Sequence, residues 1–283
     1  SAILAWNENF PESINEAVVR EAETRICEIG DFSTVLKESY GLLCAVINWS
    51  EENDVPLGSK SKWMVEELSD LGVQHVLVAG KSGSGKTSFV NTIVGDNIRS
   101  SPTSTFIYVR DNEKVEIKEI TEGAIRLIET ESDFVINQER QDRGSLVEFN
   151  IPSAFLHENG LAIIDTPGFK GTFQDKKELV DYVYLADSLL FVLNPNKPFS
   201  SSERELLEEI KEFVPEMPIH FLLSKIDMIY SESEALKMIE HTRATIYEYF
   251  PNSMVFPYSI YENHAKQEEL KNRTAAVEVV SFE

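Results

Sequence analysis

The apolar run His75-Val76-Leu77-Val78-Ala79 leads directly into Gly80-Lys81-Ser82-Gly83-Ser84-Gly85-Lys86-Thr87, and a helical pattern from Ser88 to Val94 follows. A strand, a Gly-x-x-x-x-Gly-Lys-Thr turn and a helix in that order define a phosphate-binding loop. A polyphosphate needs several donors converging on a few oxygens. Glycines at 80, 83 and 85 let the chain approach closely enough for the backbone N–H groups of residues 82 to 86, Ser84 included, to form an anion-holding nest. The helix that follows turns its positive end toward the same point. Lys86 is the ammonium expected to reach the β and γ phosphates, Thr87 carries the hydroxyl expected to ligate Mg²⁺, and Ser88 offers a further phosphate donor. This loop alone does not separate kinases, ATPases and GTPases.

Two later segments narrow the choice. Leu161-Ala162-Ile163-Ile164 reads as a buried strand ending in Asp165-Thr166-Pro167-Gly168. There Asp165 is expected to hold Mg²⁺ through water and the Gly168 N–H to meet the γ phosphate. Ile219-His220-Phe221-Leu222-Leu223 is another such run, ending in Ser224-Lys225-Ile226-Asp227. A carboxylate at Asp227 accepts from both N1–H and N2–H₂ of guanine, and adenine has no equivalent donor pair. This favours GTP over ATP. Each motif sits at the carboxyl end of an expected strand, where open parallel sheets bind ligands.

The alternation of strands and helices predicts an α/β fold with a doubly wound, mostly parallel sheet. Phe106 to Val109, Lys114 to Ile120 and Met254 to Ser259 read as further strands. Gly123 to Thr130, Lys176 to Leu185, Ser201 to Phe213 and Glu232 to Tyr249 read as helices, the third opened by a Ser200/Glu203 capping box. Before the phosphate loop, apolar residues recur at helical spacing from Ile14 to Ile29 and again from Phe32 to Trp49. Pro56 breaks the pattern, and a shorter helix is expected from Lys60 to Leu71. We therefore expect an N-terminal helical segment over 1–72, a nucleotide-binding domain over 73–260 and an extension over 261–283.

With 48 acidic against 26 basic residues the formal charge is −22, a field that repels nucleic acid and anionic lipid. We expect no nucleic-acid partner. Neither an apolar run of spanning length nor an N-terminal signal pattern is found, and Cys27 and Cys44 lack metal-ligand spacing. A reducing cytosol is the expected setting. The five histidines, at 75, 157, 220, 241 and 264, form no ligand pair.

With these motifs in this order, residues 75 to 260 resemble the bacterial dynamin-like family of P-loop GTPases. The approach Ile151 to Leu161 into Asp-Thr-Pro-Gly, the run Ala186-Asp187-Ser188-Leu189-Leu190-Phe191-Val192-Leu193 and the stretch Pro198 to Glu203 carry the likeness further. The resemblance implies binding of GTP and GDP with Mg²⁺, slow hydrolysis and a nucleotide-dependent homodimer across the nucleotide face. It also implies a γ-phosphate-sensing, metal-binding threonine at Thr103, with Thr105 the competitor, and a base contact at Ser259. The family's guanine motif usually opens with Asn or Thr, and Ser224 stands there as a shorter tether. Ser82 occupies the position of a water-positioning Gln, Gly83 that of an arginine finger, and Phe169 that of the Gln of Ras-like proteins. Arg140 and Arg143 are candidates for fingers across a dimer. The flanking helices would form either a cover for the domain or a neck. After Ser259 too few residues remain for a stalk, so membrane contact would come through a stalk elsewhere or a partner. A degenerate binding module and an ATP-binding relative remain the alternatives.

Overall fold

Strands buried on both faces lie between helix layers, and their sequences are continuous apolar runs rather than alternating ones. Five segments here have that character, and in the computed structural model all five are neighbours in one sheet. The structure describes residues 37–55, 57–70, 72–94, 105–128, 145–169, 179–180, 182–229 and 231–259. The chain divides into two units, 1–69 and 70–283. In the first, residues 37–52 are helical and α1 spans Ser59–Glu67. Lys62 and Glu51 form an ion pair there. The helix expected over Ile14 to Ile29 lies outside the described residues.

In the second unit the strands are β1 (Gln74–Gly80), β2 (Phe106–Asp111), β3 (Glu116–Ile120), β4 (Ile125–Leu127), β5 (Leu146–Ile151), β6 (Leu161–Asp165), β7 (Ser188–Leu193), β8 (Ile219–Leu223) and β9 (Val255–Pro257). Their order across the sheet is β4-β3-β5-β2-β6-β1-β7-β8-β9. The helices are α2 (Lys86–Val94), α3 (Ala154–Asn159), α4 (Ser201–Phe213) and α5 (Glu232–Tyr249). β1 runs parallel to β6 on one side and to β7 on the other, and β7, β8 and β9 continue in parallel. The chain thus passes from β6 across β1 to β7, the reversal of strand order at which such sheets open a ligand crevice. β2 is antiparallel to β6, with Ile107 opposite Asp165. This brings the start of β2, and Thr105 before it, to the same edge of the sheet as Asp165.

One core face gathers Phe89, Val90 and Val94 of α2 with Leu156 of α3, Ile163, Leu190, Val192 and Leu222. On the other face Phe221 packs with Phe191, Phe199 and Phe250, and Phe106 stacks on Tyr182 at 3.9 Å between centroids. α4 begins at Ser200 with the expected capping box and buries Leu206, Leu207 and Ile210. Ser231 caps α5 by accepting from the Glu234 N–H at 3.2 Å.

The structure corrects two expectations. Residues 125–127 of the segment expected as a helix from Gly123 form the edge strand β4. The Thr121 hydroxyl bonds both to the Ala124 carbonyl and from its N–H, at 2.9 and 3.1 Å, and this tight turn folds the chain back on β3. β5 was not expected, and it is wholly buried, Glu148 and Asn150 included.

Two titratable groups are displaced from their ordinary values. Burial pushes the His220 ring below the usual imidazole range, and its Nδ1 accepts from the Met254 N–H at 3.2 Å. For Asp187, burial pushes upward but is outweighed by bonds to the His75 ring and N–H, so its carboxyl lies below the usual range.

Candidate functional site

The carboxyl ends of β1, β6, β7 and β8 bring the motif residues to one edge of the sheet. Gly80, Gly83 and Gly85 have φ of 150°, 76° and 102°, in the region that L side chains rarely adopt. At Gly80 a Cβ would also come within 2.4 Å of the Val192 carbonyl oxygen on β7. The phosphate loop therefore lies hard against the adjacent strand. Lys86, buried at the start of α2, donates to the carbonyls of Gly80 at 2.8 Å and Lys81 at 3.0 Å. Its ammonium thus closes the loop over itself.

Thr87 donates to Asp165 at 3.0 Å, so the hydroxyl of α2 and the carboxylate of β6 are already side by side. Two hard oxygen donors at the mouth of a phosphate nest fit Mg²⁺, which prefers oxygen and keeps several waters. Ser88 is exposed in the first turn of α2, and Ser82 and Gly83 are exposed at the loop's rim. Thr103, Arg140 and Arg143 lie outside the described residues.

Asp-Thr-Pro-Gly is joined to the phosphate loop through its backbone. The Ser82 N–H donates to the Phe169 carbonyl at 3.3 Å, the Phe169 N–H donates to the Gly80 carbonyl at 3.1 Å, and Lys81 and Phe169 form a parallel bridge. Gly168 lies so close that a Cβ there would be 2.6 Å from the Ser82 Cα. The Phe169 ring is buried.

The base-side motif hangs from the same loop. Ser224, fully buried, donates to the Ser84 carbonyl and is 3.2 Å from the Leu193 carbonyl oxygen. Ser224, the residue standing where the family usually has Asn or Thr, thus reaches the phosphate loop through its hydroxyl. Lys225, at φ 57°, donates to the Gly83 carbonyl at 2.7 Å. Ser259, after β9, donates to Asp227 at 2.6 Å, so the structure brings these two sequence-expected residues together.

Sequence reasoning missed one group. The Lys81 ammonium is 2.5 Å from the Ser200 hydroxyl and 3.8 Å from the buried Glu203 carboxylate at the start of α4. The signal was present in the Ser200/Glu203 capping pattern, but nothing in the sequence pointed it at the phosphate loop. Lys86 and Lys225 bring two ammonium groups to the carbonyls of one loop in a chain of net charge −22, while Lys81 is turned to Ser200 and Glu203.

A doubly wound parallel sheet with a phosphate loop on its central strand, an Asp-x-x-Gly turn beside it and a Ser-Lys-x-Asp loop beyond defines the class of P-loop GTPase domains. The chain belongs to the dynamin family, whose model matches residues 76–244, and it has the fold of a dynamin-like GTPase head. Two solved structures of an oligomerised bacterial dynamin pair, described as providing a mechanism for long-range sensing and tethering of membranes, share that fold. One is 13% identical with a TM-score of 0.54 and 91% of this chain covered, the other 13% identical with a TM-score of 0.55 and 85% covered. The chain spans 45% and 43% of their lengths. No curated protein matches the chain.

Proposed function

We propose that this head binds GTP with Mg²⁺ and hydrolyses it slowly to GDP and phosphate, and that two heads meet across the nucleotide face during turnover. The observation that carries this reading is the convergence on one loop of the Lys86 ammonium, the Thr87–Asp165 pair and the Ser224 to Asp227 segment. Lys86, Gly80, Ser82, Gly83, Ser84, Gly85, Thr87, Ser88 and Gly168 would take the phosphates, and Ser224, Lys225, Asp227 and Ser259 the base side. Thr87 and Asp165, joined by Thr103, would hold the metal. Bound there, Mg²⁺ supplies charge that offsets the phosphate oxygens. Lys86 contributes a fixed positive charge where negative charge builds on the γ phosphoryl group, and the backbone N–H groups orient it. Residues 1–72 serve as a neck or cover, 73–260 as the GTPase domain and 261–283 as an extension. The setting is the cytosol, with membrane contact through a stalk or partner and none with nucleic acid.

Single-turnover GTP hydrolysis by wild type and Lys86→Ala tests this. We expect a drop of at least about a hundredfold in the variant, the scale of losing one charged transition-state contact. Equal background rates would sink the enzyme reading. Binding of GTP in preference to ATP is expected, and the reverse would refute the role of Asp227.

One observation favours a second reading, in which the head binds nucleotide as a regulatory ligand without turnover. Ser82 and Gly83 are short, and the buried Phe169 offers no polar group, so none of these three positions supplies a side chain to orient the attacking water.

A further inference from the structure

The geometry points to Lys81 as a positioning residue that sets the head's preference for GTP over GDP, an inference resting on the GTP-binding reading above. Three facts lead to it. First, residues 80–82 and 168–169 are one mechanical piece. The paired bonds between Gly80, Ser82 and Phe169 tie the segments together, and they are packed so closely that a Cβ added at Gly168 would lie 2.6 Å from the Ser82 Cα. Second, the phosphate-loop side of that piece is fastened by its side chain. The Lys81 ammonium donates to the Ser200 hydroxyl at 2.5 Å and lies 3.8 Å from Glu203 Oε2. Glu203 is 2% exposed and also accepts from the Ser200 N–H at 2.7 Å and hydroxyl at 2.6 Å. A buried carboxylate needs such company, and the ammonium is the cation that meets it. Third, the anchor point is rigid, because α4 buries Leu206, Leu207 and Ile210.

Lys81 therefore fixes the height at which the Gly168 N–H stands above the loop. That N–H faces the γ phosphate in the proposed complex, whereas the β phosphate is taken by the nest from Gly83 to Lys86 and the base by Asp227. Cutting the tie lets residues 81–82 and 168–169 drift together. It weakens the contact only GTP can make and spares those GDP shares. A cation in the loop that merely stabilised α4 would affect both nucleotides alike.

The test is calorimetric titration of wild type, Lys81→Met, Lys81→Arg and Glu203→Gln with a non-hydrolysable GTP analogue and with GDP, both with Mg²⁺. Lys81→Met keeps the aliphatic stem, and Glu203→Gln keeps an acceptor for the Ser200 N–H while removing the charge. We expect Lys81→Met and Glu203→Gln to lose about tenfold in affinity for the analogue and less than about twofold for GDP, with Lys81→Arg restoring the ratio in part. An unchanged ratio in Lys81→Met, or parallel loss for both nucleotides, overturns the inference. If Lys81→Met does not fold, the ratio in Glu203→Gln decides it in the same way. A wild type that binds neither nucleotide sinks the GTP reading and this inference together. A wild type that discriminates, with variants that still do, sinks only this one.

Discussion

Gly168 has room for a hydrogen and nothing larger. A methyl group there would meet the Ser82 Cα at 2.6 Å and Cβ at 2.8 Å, and the first of these is backbone that cannot rotate aside. Gly168→Ala therefore has to push the Asp-Thr-Pro-Gly turn away from the phosphate loop, an overpacking cost of about 1–3 kcal/mol. We expect the variant to bind the GTP analogue at least about tenfold more weakly than wild type in calorimetry. Undiminished affinity would remove Gly168 from the γ-facing role. Lys86, Thr87, Asp165 and Asp227 were legible because a short spacing fixes their chemistry: each lies within a few residues of the end of an apolar run. Lys81 was not. Its partner, Ser200, is 119 residues away in the chain, and only the strand order brings the two within reach.

The elements divide along similar lines. α4 and α5 could be bounded to the residue, since Ser200 with Glu203 and Ser231 with Glu234 mark their starts in the sequence itself. β5 could not, because Glu148 and Asn150 interrupt its apolar pattern. In the fold the Asn150 amide donates to the Glu148 carboxylate at 2.8 Å, which lets both be buried. β4 was misjudged because two aliphatic residues fit a helix as well as a strand, and the turn at Thr121 to Ala124 decided between them. At this scale His220 supplies a pH dependence. Burial disfavours the charged ring, so its pKa is lowered in the folded chain, where its Nδ1 accepts from the Met254 N–H. The unfolded chain takes up a proton near pH 6.5 while the folded ring resists. Stability from this group is therefore full above about pH 6.5 and declines as pH falls toward the folded value. Thermal melting between about pH 7.5 and 5.5 should fall more steeply for wild type than for His220→Gln, and parallel curves would dismiss the effect.

For the whole molecule, charge and assembly oppose each other. Two copies each carrying −22 repel, so any pairing of heads must overcome a like-charge field that salt weakens. We expect sedimentation with a GTP transition-state mimic to give a mass near twice the monomer's, more completely at about 0.3 M salt than at about 0.05 M. A monomer at both salt concentrations would count against pairing. Among the described residues no helix is long and apolar enough to cross a membrane.

The strand order has one more consequence. The phosphate loop rises from β1, which has neighbours on both sides, while Asp227 and Ser259 follow β8 and the three-residue margin strand β9. A nucleotide lying between them would be moored by its phosphates amidships and by its purine near the gunwale, where local opening costs least. For a nucleotide bound in this way, we expect release to begin at the purine and end at the phosphates.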